Sequence, residues 1–284
     1  MDKSFLVLFF KKELLPSFPW GQLMTDKLLA RKDGPVARLI FNNPEKLNAI
    51  SLEMWQALGD YMADFDADPD IRVIVVSGAG GRSFIAGADV SKYEEERMGE
   101  DSAEHYAKTG ELGLSRLYNT SRVTIAAIDG FCIGGGISVA VSCDLRLCTP
   151  KSRFGQPAMR YGIGYRYGSL RRVVDIIGAA ATKELLLGGA QFDAEQALAK
   201  GLVGRVVPED SFAAEVDKLA SSIAVGAPLT AKQVKFTLGE IVKDPDARDI
   251  GQCEALFQQC YASADYREGI RAFAEKRKPH FTGT

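Results

Sequence analysis

The pattern of apolar and polar residues predicts strands that alternate with helices along most of the chain. Residues 71–76 form a continuous apolar, β-branched run, as expected for a strand that is covered on both faces. Similar runs end at turn-forming or glycine-rich residues. The predicted strands cover residues 36–41, 71–76, 124–128, 145–148 and 203–207. A buried sheet is therefore predicted.

A helix is predicted to begin at Ser51, because serine favours the N-cap position and Glu53 follows in the first turn, where the helix dipole favours an anion. Its apolar face consists of Trp55, Leu58, Met62 and Phe65. Helical patterns also cover residues 91–118 and 137–142, and everything beyond Ser211. Strands that alternate with helices predict a layered α/β core, and the helical end predicts an appendage.

Composition narrows the class of protein. The chain has 284 residues, of which 46% are hydrophobic, so a large core is expected. Acidic and basic residues are interspersed and sum to a net charge of -2, which offers no basic face for nucleic acid. Five cysteines without a CxxC pair favour reduced thiols and a cytoplasmic protein.

The apolar run at residues 5–10 is too short for a signal peptide or membrane helix, so residues 1–23 are interpreted as a leader or upstream extension.

Two glycine-containing segments, residues 83–89 and 129–136, are each predicted to follow a strand and precede a helix. Glycine and alanine let a ligand approach the main chain, and the first N–H groups of a helix have no internal partner. Such N–H groups suit an oxyanion. Simple tight turns are the alternative, and the second segment does not match the GxGxxG dinucleotide fingerprint.

Several motifs occur together in an order and spacing that resemble one family. They are Asn43-Pro44 with Leu47-Asn48-Ala49, Phe84 with Ala86-Gly87-Ala88-Asp89, Gly130 with Gly134-Gly135-Gly136, Phe154-Gly155-Gln156-Pro157, Gly201-Leu202-Val203 with Val206-Val207-Pro208, and Glu275-Lys276-Arg277-Lys278. From about residue 27 to residue 281 the chain resembles the crotonase, or enoyl-CoA hydratase/isomerase, superfamily.

The resemblance implies an α/β fold, the crotonase (ClpP-like) spiral of ββα units, with a C-terminal helical region that trimerises, often into a dimer of trimers. The expected organisation is a leader at 1–23, a crotonase-fold core at 24–220 with the CoA and oxyanion-hole site, and a helical oligomerisation region at 221–284. Neither nucleic acid nor membrane is an expected partner. The expected ligand is an acyl-CoA thioester, and no other cofactor and no metal is expected.

The resemblance also implies functional residues. The oxyanion hole would consist of the backbone N–H groups of Ala88 and Gly135, which would stabilise a thioester enolate or a tetrahedral oxyanion. The nucleotide part of coenzyme A would bind near the residues around this hole, with a lysine reaching over from a neighbouring subunit. The implied coenzyme A residues are Lys46, Leu47, Ala86, Ala88, Asp89 and Val90, with Lys276 as the lysine of the neighbouring subunit.

Two positions depart from the pattern of the family. Hydratases of the family carry two catalytic glutamates, and the matching positions here hold Ser138 and Ala158. Alanine cannot transfer a proton, and serine is a poor base without a partner, so the two-glutamate hydration of a double bond is not supported. The isomerase branch also needs the later glutamate. The dehalogenase branch needs a tryptophan and an aspartate where this chain has Ala158 and Arg166.

The segment 160–168 is a candidate replacement, because it is polar and aromatic where hydratases have an apolar stretch and a Pro-Gly loop. Tyr161, Tyr165 or Tyr167 would donate a proton, and Arg160 or Arg166 would hold a substrate carboxylate or lower a tyrosine pKa. Packing at a subunit surface is the alternative for each of these side chains.

Four further polar residues were considered as functional groups. Ser138 does not lie in a G-x-S-x-G motif, so a nucleophilic role is not supported. His105 is retained as an acid or base against a surface role, and His280 is expected to face solvent. Asp144 is expected to stabilise the fold.

The sequence thus predicts an enzyme of the hydratase/isomerase group, a lyase or isomerase of acyl-CoA or fatty acid metabolism. Its acid and base residues are not identified by the family pattern. A non-catalytic acyl-CoA-binding or assembly subunit is the alternative from another class of protein. A thioester hydrolase or C–C lyase that uses tyrosine and arginine also stays open, and RNA binding is the most distant alternative.

Overall fold

A computed structural model describes residues 25–189 and 191–284, so the predicted leader lies outside the described residues. The strands are β1 (Leu28–Asp33), β2 (Val36–Phe41), β3 (Val73–Gly78), β4 (Ser83–Ala86), β5 (Val123–Ile128), β6 (Phe131–Ile133), β7 (Leu145–Cys148), β8 (Arg153–Gly155), β9 (Phe192–Asp193) and β10 (Arg205–Val206).

These strands form two sheets. The larger has the order β1-β2-β3-β5-β7-β10 and is parallel except for the β1–β2 hairpin. The smaller has the order β4-β6-β8-β9 and is parallel except for β9. Consecutive strands from β3 to β8 alternate between the two sheets. The chain therefore advances as a spiral in which each turn adds one strand to each sheet.

The α-helices are α1 (Leu52–Ala67), α2 (Tyr93–Arg97), α3 (Glu100–Asn119), α4 (Gly135–Ser142), α5 (Tyr167–Leu187), α6 (Ala194–Ala199), α7 (Phe212–Ala224), α8 (Pro228–Ile241), α9 (Ile250–Ala262) and α10 (Ala264–Ala274). Short 3-10 helices lie at Pro44–Lys46, Val90–Lys92, Ala158–Tyr161 and Pro245–Ala247. Helix α5 is interrupted at Gly178, whose φ of 72° is not helical.

The core has two parts, one on each face of the larger sheet. Ile74 and Val76 of β3 belong to the part that packs against α1, whereas Val73 and Val75 belong to the part that packs against α7. This division follows the two-residue period of a strand. The predicted burial of this strand on both faces is confirmed.

The predicted α/β pattern is confirmed, but the structure contains strands that the prediction did not include. Strand β1 was not predicted. The glycine-containing segments are not simply loops, because each begins with or contains a short strand, β4 or β6. These strands have four and three residues, too few to show a period, and pair only across the second sheet.

Helix α1 begins where predicted, but the side chain that caps its first N–H groups is not that of Ser51. Ser51 occupies the N-cap position without a side-chain capping bond. Instead, the Leu52 N–H donates to Glu96 Oε2 at 3.1 Å, so a carboxylate from α2 caps this helix. The predicted negative charge at the helix start is therefore supplied partly by a residue distant in sequence.

Helices α8 to α10 confirm that the end of the chain is helical, and its role in oligomerisation stays a prediction. Asp144 fixes this end to the core, because Asp144 Oδ2 accepts hydrogen bonds from Thr124 N at 2.7 Å and from Lys235 Nζ at 2.8 Å. This agrees with the structural role expected for Asp144. Across the described residues, every helix is too short or too polar to cross a membrane.

Candidate active site

Two backbone N–H groups lie side by side at the ends of β4 and β6. The strands are parallel, with Ala86 opposite Ile133, so the chain places Ala88 beside Gly135 two residues further on. Neighbouring backbone groups are paired, for example Ile50 N with Gly87 O at 2.8 Å. Among the described residues, neither the Ala88 N–H nor the Gly135 N–H has a hydrogen-bond acceptor. Buried or half-buried backbone donors are normally paired, so this pair is available to a ligand.

The close approach of the two strand ends explains the glycines. Gly134 has a φ of 56°, and a Cβ there would lie 3.3 Å from the Gly87 Cα. A Cβ at Gly136 would overlap the Ile85 carbonyl oxygen and lie 3.1 Å from the Ile85 Cβ. The backbone geometry around the free N–H groups therefore depends on residues without side chains.

The electrostatics of this position favour a negative charge. Gly135 is the first residue of α4, whose helix N-terminus carries a partial positive charge. Ala88 and Gly135 are both half-buried, so the N–H groups lie at the surface of the core and not within it. An oxygen that gains negative charge between them would be stabilised.

The structure brings together most residues that were predicted to bind coenzyme A. Lys46 Nζ lies 2.9 Å from Asp89 Oδ2 and 2.6 Å from Ser91 Oγ. The Leu47 carbonyl accepts a hydrogen bond from the Ala86 N–H at 3.0 Å. Burial acts to raise the pKa of Asp89, but hydrogen bonds from Ser91 and Lys46 outweigh it, and the pKa lies below its usual value.

The remaining predicted coenzyme A residues differ in position. Val90 lies next to this group and is 63% exposed. Lys276 follows α10, in a left-handed conformation with a φ of 54°. In the described part of the chain, Lys276 makes no hydrogen bond or ion pair to the other candidates, so its predicted role across a subunit boundary stays a prediction.

Asn48 holds the site together, a role that was not predicted although the residue is part of the motif. Asn48 is fully buried and donates from Nδ2 to the carbonyls of Ala79 and Ser83, at 2.9 and 2.7 Å. Its Oδ1 accepts from Asn43 N at 2.9 Å. A single amide thus ties the turn before α1 to the start of β4.

The positions of the two missing glutamates lie on the elements that border the free N–H groups. Ser138 is half-buried and lies one turn into α4, three residues after Gly135. Ala158 begins the 3-10 helix that follows β8. Since neither position holds a carboxylate, the site lacks the pair of acid and base that two glutamates would supply.

The tyrosines of the polar segment before α5 differ in how far their side chains are exposed. Tyr161 and Tyr167 are 60% and 75% exposed, whereas Tyr165 is half-buried. Burial raises the pKa of Tyr165 to about 12, although the Gln156 side chain partly opposes this. Arg166 Nη2 lies 3.8 Å from Glu104 Oε1, so its charge already has a partner.

Gln156 is a further polar group of this region that was not singled out as functional. The side chain is 5% exposed, and its Oε1 has no hydrogen-bond partner among the described residues. Gln156 follows β8, whose last carbonyl, on Gly155, accepts the Gly134 N–H at 2.9 Å. A buried, unpaired acceptor therefore lies one residue from a backbone bond of the glycine segment.

A cluster of aromatic and basic side chains beside Gly135 was also missed. Trp55 Nε1 donates to the Tyr106 hydroxyl at 2.9 Å, and this hydroxyl donates to the Ile50 carbonyl at 3.3 Å. The Arg97 guanidinium lies 3.7 Å from the centre of the Tyr106 ring. Trp55 was interpreted only as part of an apolar face, and nothing in the local pattern links it to residues about 50 positions later.

The histidines and cysteines do not join the free N–H groups. His105 is exposed and lines a cleft together with Glu96, Lys92 and Ser102, and His280 is exposed near the C-terminus. Burial raises the pKa values of Cys143 and Cys148 to about 12, so both thiols are protonated near neutral pH. Nucleophilic chemistry by these two thiols is therefore disfavoured.

Comparison with known proteins agrees with this geometry. The family model described as enoyl-CoA hydratase/isomerase matches residues 31–284. A short-chain-enoyl-CoA hydratase of Clostridium acetobutylicum is 30% identical over 89% of this chain and 96% of its own length. A carnitinyl-CoA dehydratase of Citrobacter koseri is 30% identical over 92% of this chain and 100% of its own length.

Solved structures show the same fold. The crystal structure of an enoyl-CoA hydratase/carnithine racemase from Magnetospirillum magneticum superposes with a TM-score of 0.86, at 34% identity, over 92% of this chain and 97% of that chain. The predicted crotonase fold is thereby confirmed. From the match of the family model and these relatives, the chain belongs to the enoyl-CoA hydratase/isomerase family.

Proposed function

We propose that the protein binds an acyl-CoA thioester and polarises its carbonyl with the N–H groups of Ala88 and Gly135. The observation that carries this proposal is the pair of adjacent N–H groups without acceptors at the ends of β4 and β6. As a thioester is converted into an enolate, its carbonyl oxygen gains negative charge. Donors fixed in place before the reaction stabilise that charge, at about 3 kcal/mol per donor.

The coenzyme A part of the ligand would bind at the Lys46–Asp89 pair. Lys46 is 46% exposed in its side chain, so its ammonium group is accessible to a phosphate. Asp89 is anchored by Ser91, which keeps the lysine close to the Ala88 turn. A cation at this place would orient the thioester toward the oxyanion hole.

We further propose that Tyr165 donates a proton to the enolate. Its raised pKa keeps the phenol protonated at neutral pH, as a proton donor must be. The proton would move from the Tyr165 oxygen to the substrate, and solvent would then reprotonate the phenolate. This chemistry suits a lyase in which cleavage of a bond to the α-carbon releases the enolate that Tyr165 then protonates, and it needs no carboxylate at Ser138 or Ala158.

A second function, non-catalytic acyl-CoA binding, is favoured by one specific observation. The positions of both family glutamates hold Ser138 and Ala158, so the site retains the oxyanion donors without the usual acid and base. A binding or assembly subunit would need the donors alone.

Turnover and binding separate these two functions. The purified protein would be incubated with crotonyl-, 3-enoyl-, dienoyl-, malonyl-, β-diketone and aryl-CoA thioesters, and mass spectrometry would detect water addition, isomerisation, C–C cleavage and hydrolysis. Calorimetry would measure coenzyme A binding in parallel. We expect a product from at least one thioester and no hydration of crotonyl-CoA. Binding without any product supports the non-catalytic function, and no binding of any thioester contradicts both.

A further inference from the structure

Arg97 has a buried Nε that lacks an acceptor among the described side chains. Its guanidinium carbon lies 3.7 Å from the centre of the Tyr106 ring and 4.4 Å from the centre of the Tyr93 ring. Its Nε is buried and has no acceptor within the described ranges. Among the carboxylates whose side chains the structure describes, none forms a salt bridge with Arg97, although its charge and that of Glu96 attract each other. Its close contacts within the described side chains are therefore the two tyrosine rings.

The carboxylate nearest in sequence that is described, Glu96, is engaged elsewhere. Glu96 Oε2 accepts the Leu52 N–H at the start of α1. Burial raises the pKa of Glu96, and the Leu52 N–H and the charges of Lys92 and Arg97 partly oppose this shift. A guanidinium that is half-buried with an unpaired N–H is costly, because its lost hydration is only partly replaced by the aromatic rings.

A continuous set of side chains connects Arg97 to the proposed oxyanion hole. A Cβ at Gly135 would lie 3.5 Å from the Trp55 ring, so this indole flanks the Gly135 donor. Trp55 hydrogen-bonds Tyr106, and Arg97 lies over the Tyr106 ring. Gly110 makes room for the indole, since a Cβ there would also lie 3.5 Å from it. The order from the hole outward is Trp55, Tyr106, Arg97.

We propose that the acyl group of the substrate ends in a carboxylate and that Arg97 binds this carboxylate. The inference rests on the proposed function, because the carbonyl must lie between Ala88 and Gly135 for the acyl chain to pass Trp55 and Tyr106. A planar guanidinium forms two parallel hydrogen bonds to a carboxylate, and charge-assisted bonds of this kind are strong. The apolar rings of Trp55 and Tyr106 would contact the methylene groups between the two ends of the acyl chain.

Arg97 and Arg166 are the two arginines to compare as carboxylate ligands. Arg166, named from the sequence, has an exposed side chain and pairs with Glu104 at 3.8 Å. Arg97 is more buried, and its Nε has no acceptor among the described side chains. A ligand carboxylate would gain more from an unpaired, partly desolvated guanidinium than from one that already has a carboxylate beside it.

The test compares two thioesters with the same number of acyl carbons, glutaryl-CoA and valeryl-CoA, by calorimetry. We expect the wild-type protein to bind glutaryl-CoA at least about tenfold more tightly, as a charge-assisted pair of hydrogen bonds predicts. Arg97→Met should abolish this preference while leaving valeryl-CoA binding nearly unchanged. Arg97→Lys should restore part of it, because lysine retains the charge but not the planar geometry. Arg205→Met, at an exposed arginine of β10, is the matched control and should keep the preference.

The outcomes distinguish this inference from the function on which it rests. Equal binding of the two thioesters by the wild-type protein, or a preference that survives in Arg97→Met, would overturn the role of Arg97 and leave the proposed function intact. Failure of both thioesters to bind would overturn the proposed function and this inference together. If Arg97 only clamps α2 to α3, Arg97→Met lowers the melting temperature without changing selectivity. The comparison in the wild-type protein does not depend on any variant being folded.

Discussion

The two sides of the candidate site are built in opposite ways. Around the free N–H groups, the backbone is packed so closely that Gly136 has no space for a Cβ beside the Ile85 carbonyl. In the segment before α5, an added Cβ at Gly162 or Gly164 would meet nothing within 4 Å. The part of the site proposed to polarise a carbonyl is therefore held in place by close backbone packing. The segment proposed to supply the proton leaves space for a Cβ at these two glycines.

The difference in packing should have its largest effect on the free energy of unfolding of glycine-to-alanine variants. Gly136→Ala places a methyl group against the Ile85 carbonyl, so the free energy of unfolding should fall by about 3 kcal/mol. Gly164→Ala, in the open segment, should change it by less than about 0.5 kcal/mol. Urea denaturation followed by circular dichroism measures both. Equal losses in the two variants would mean that the two sides are packed alike.

Tyr165 is the proposed proton donor of the open segment. Tyr165→Phe should lower kcat by about 100-fold, the usual size of a general acid effect, on any thioester that is turned over. Binding of that thioester should stay unchanged, because the phenyl ring keeps the packing. The same change at the exposed Tyr167 should leave kcat near the wild-type value. An unchanged kcat in Tyr165→Phe would exclude this tyrosine as the proton donor.

The buried state of Tyr165 can be measured without a substrate. Its pKa is raised to about 12 from an ordinary 10.0, so the unfolded chain loses the phenol proton first as the pH rises. The stabilisation is complete below pH 10 and is lost as the pH rises toward 12. The stability of the wild-type protein should therefore fall more steeply across this interval than that of Tyr165→Phe. Parallel curves would show that the phenol is solvated in the folded protein.

The smallest effect concerns the Lys46–Asp89 pair, on the packed side. Lys46→Met leaves the buried Asp89 carboxylate without its cation and should lower stability by about 1 kcal/mol at neutral pH. Because the pKa of Asp89 lies below its ordinary 3.8, this contribution is present above pH 3.8 and is lost as the pH falls through the lower folded value. Chemical denaturation at pH 7 and pH 3 should show the difference shrinking. A difference that persists in acid would assign the loss to packing.

The sequence predicted the regular part of the fold well. Strands β2 and β7 match the predicted residues, and β3 and β5 differ from the prediction by one or two residues at their ends. Strands β2, β3 and β5 each have six residues, most of them apolar, and such segments indicate buried strands. The second sheet was not predicted, because β4 and β6 are too short to show a period and are held by partners distant in sequence.

The same limit applies to the site. Ala88 and Gly135 were named from motifs, since backbone donors require small residues that are visible in the sequence. The links from Trp55 to Tyr106 and from Tyr106 to Arg97 depend on how α1, α2 and α3 pack. No local pattern specifies that packing. Gln156 was part of a quoted motif, but only burial distinguishes its unpaired Oε1 from an ordinary solvated amide.

Polarisation of the thioester carbonyl by the Ala88 and Gly135 N–H groups can be measured in the infrared spectrum of the bound thioester. Gly135 is the first residue of α4, where proline is tolerated, so Gly135→Pro removes one N–H donor, and Gly135→Ala keeps the donor and adds a Cβ. With carbonyl-labelled crotonyl-CoA, we predict a shift of the C=O stretch to lower frequency in the wild-type protein and in Gly135→Ala, and a much smaller shift in Gly135→Pro. A carbonyl that binds to the wild-type protein at its free-solution frequency would show that these N–H groups do not polarise it.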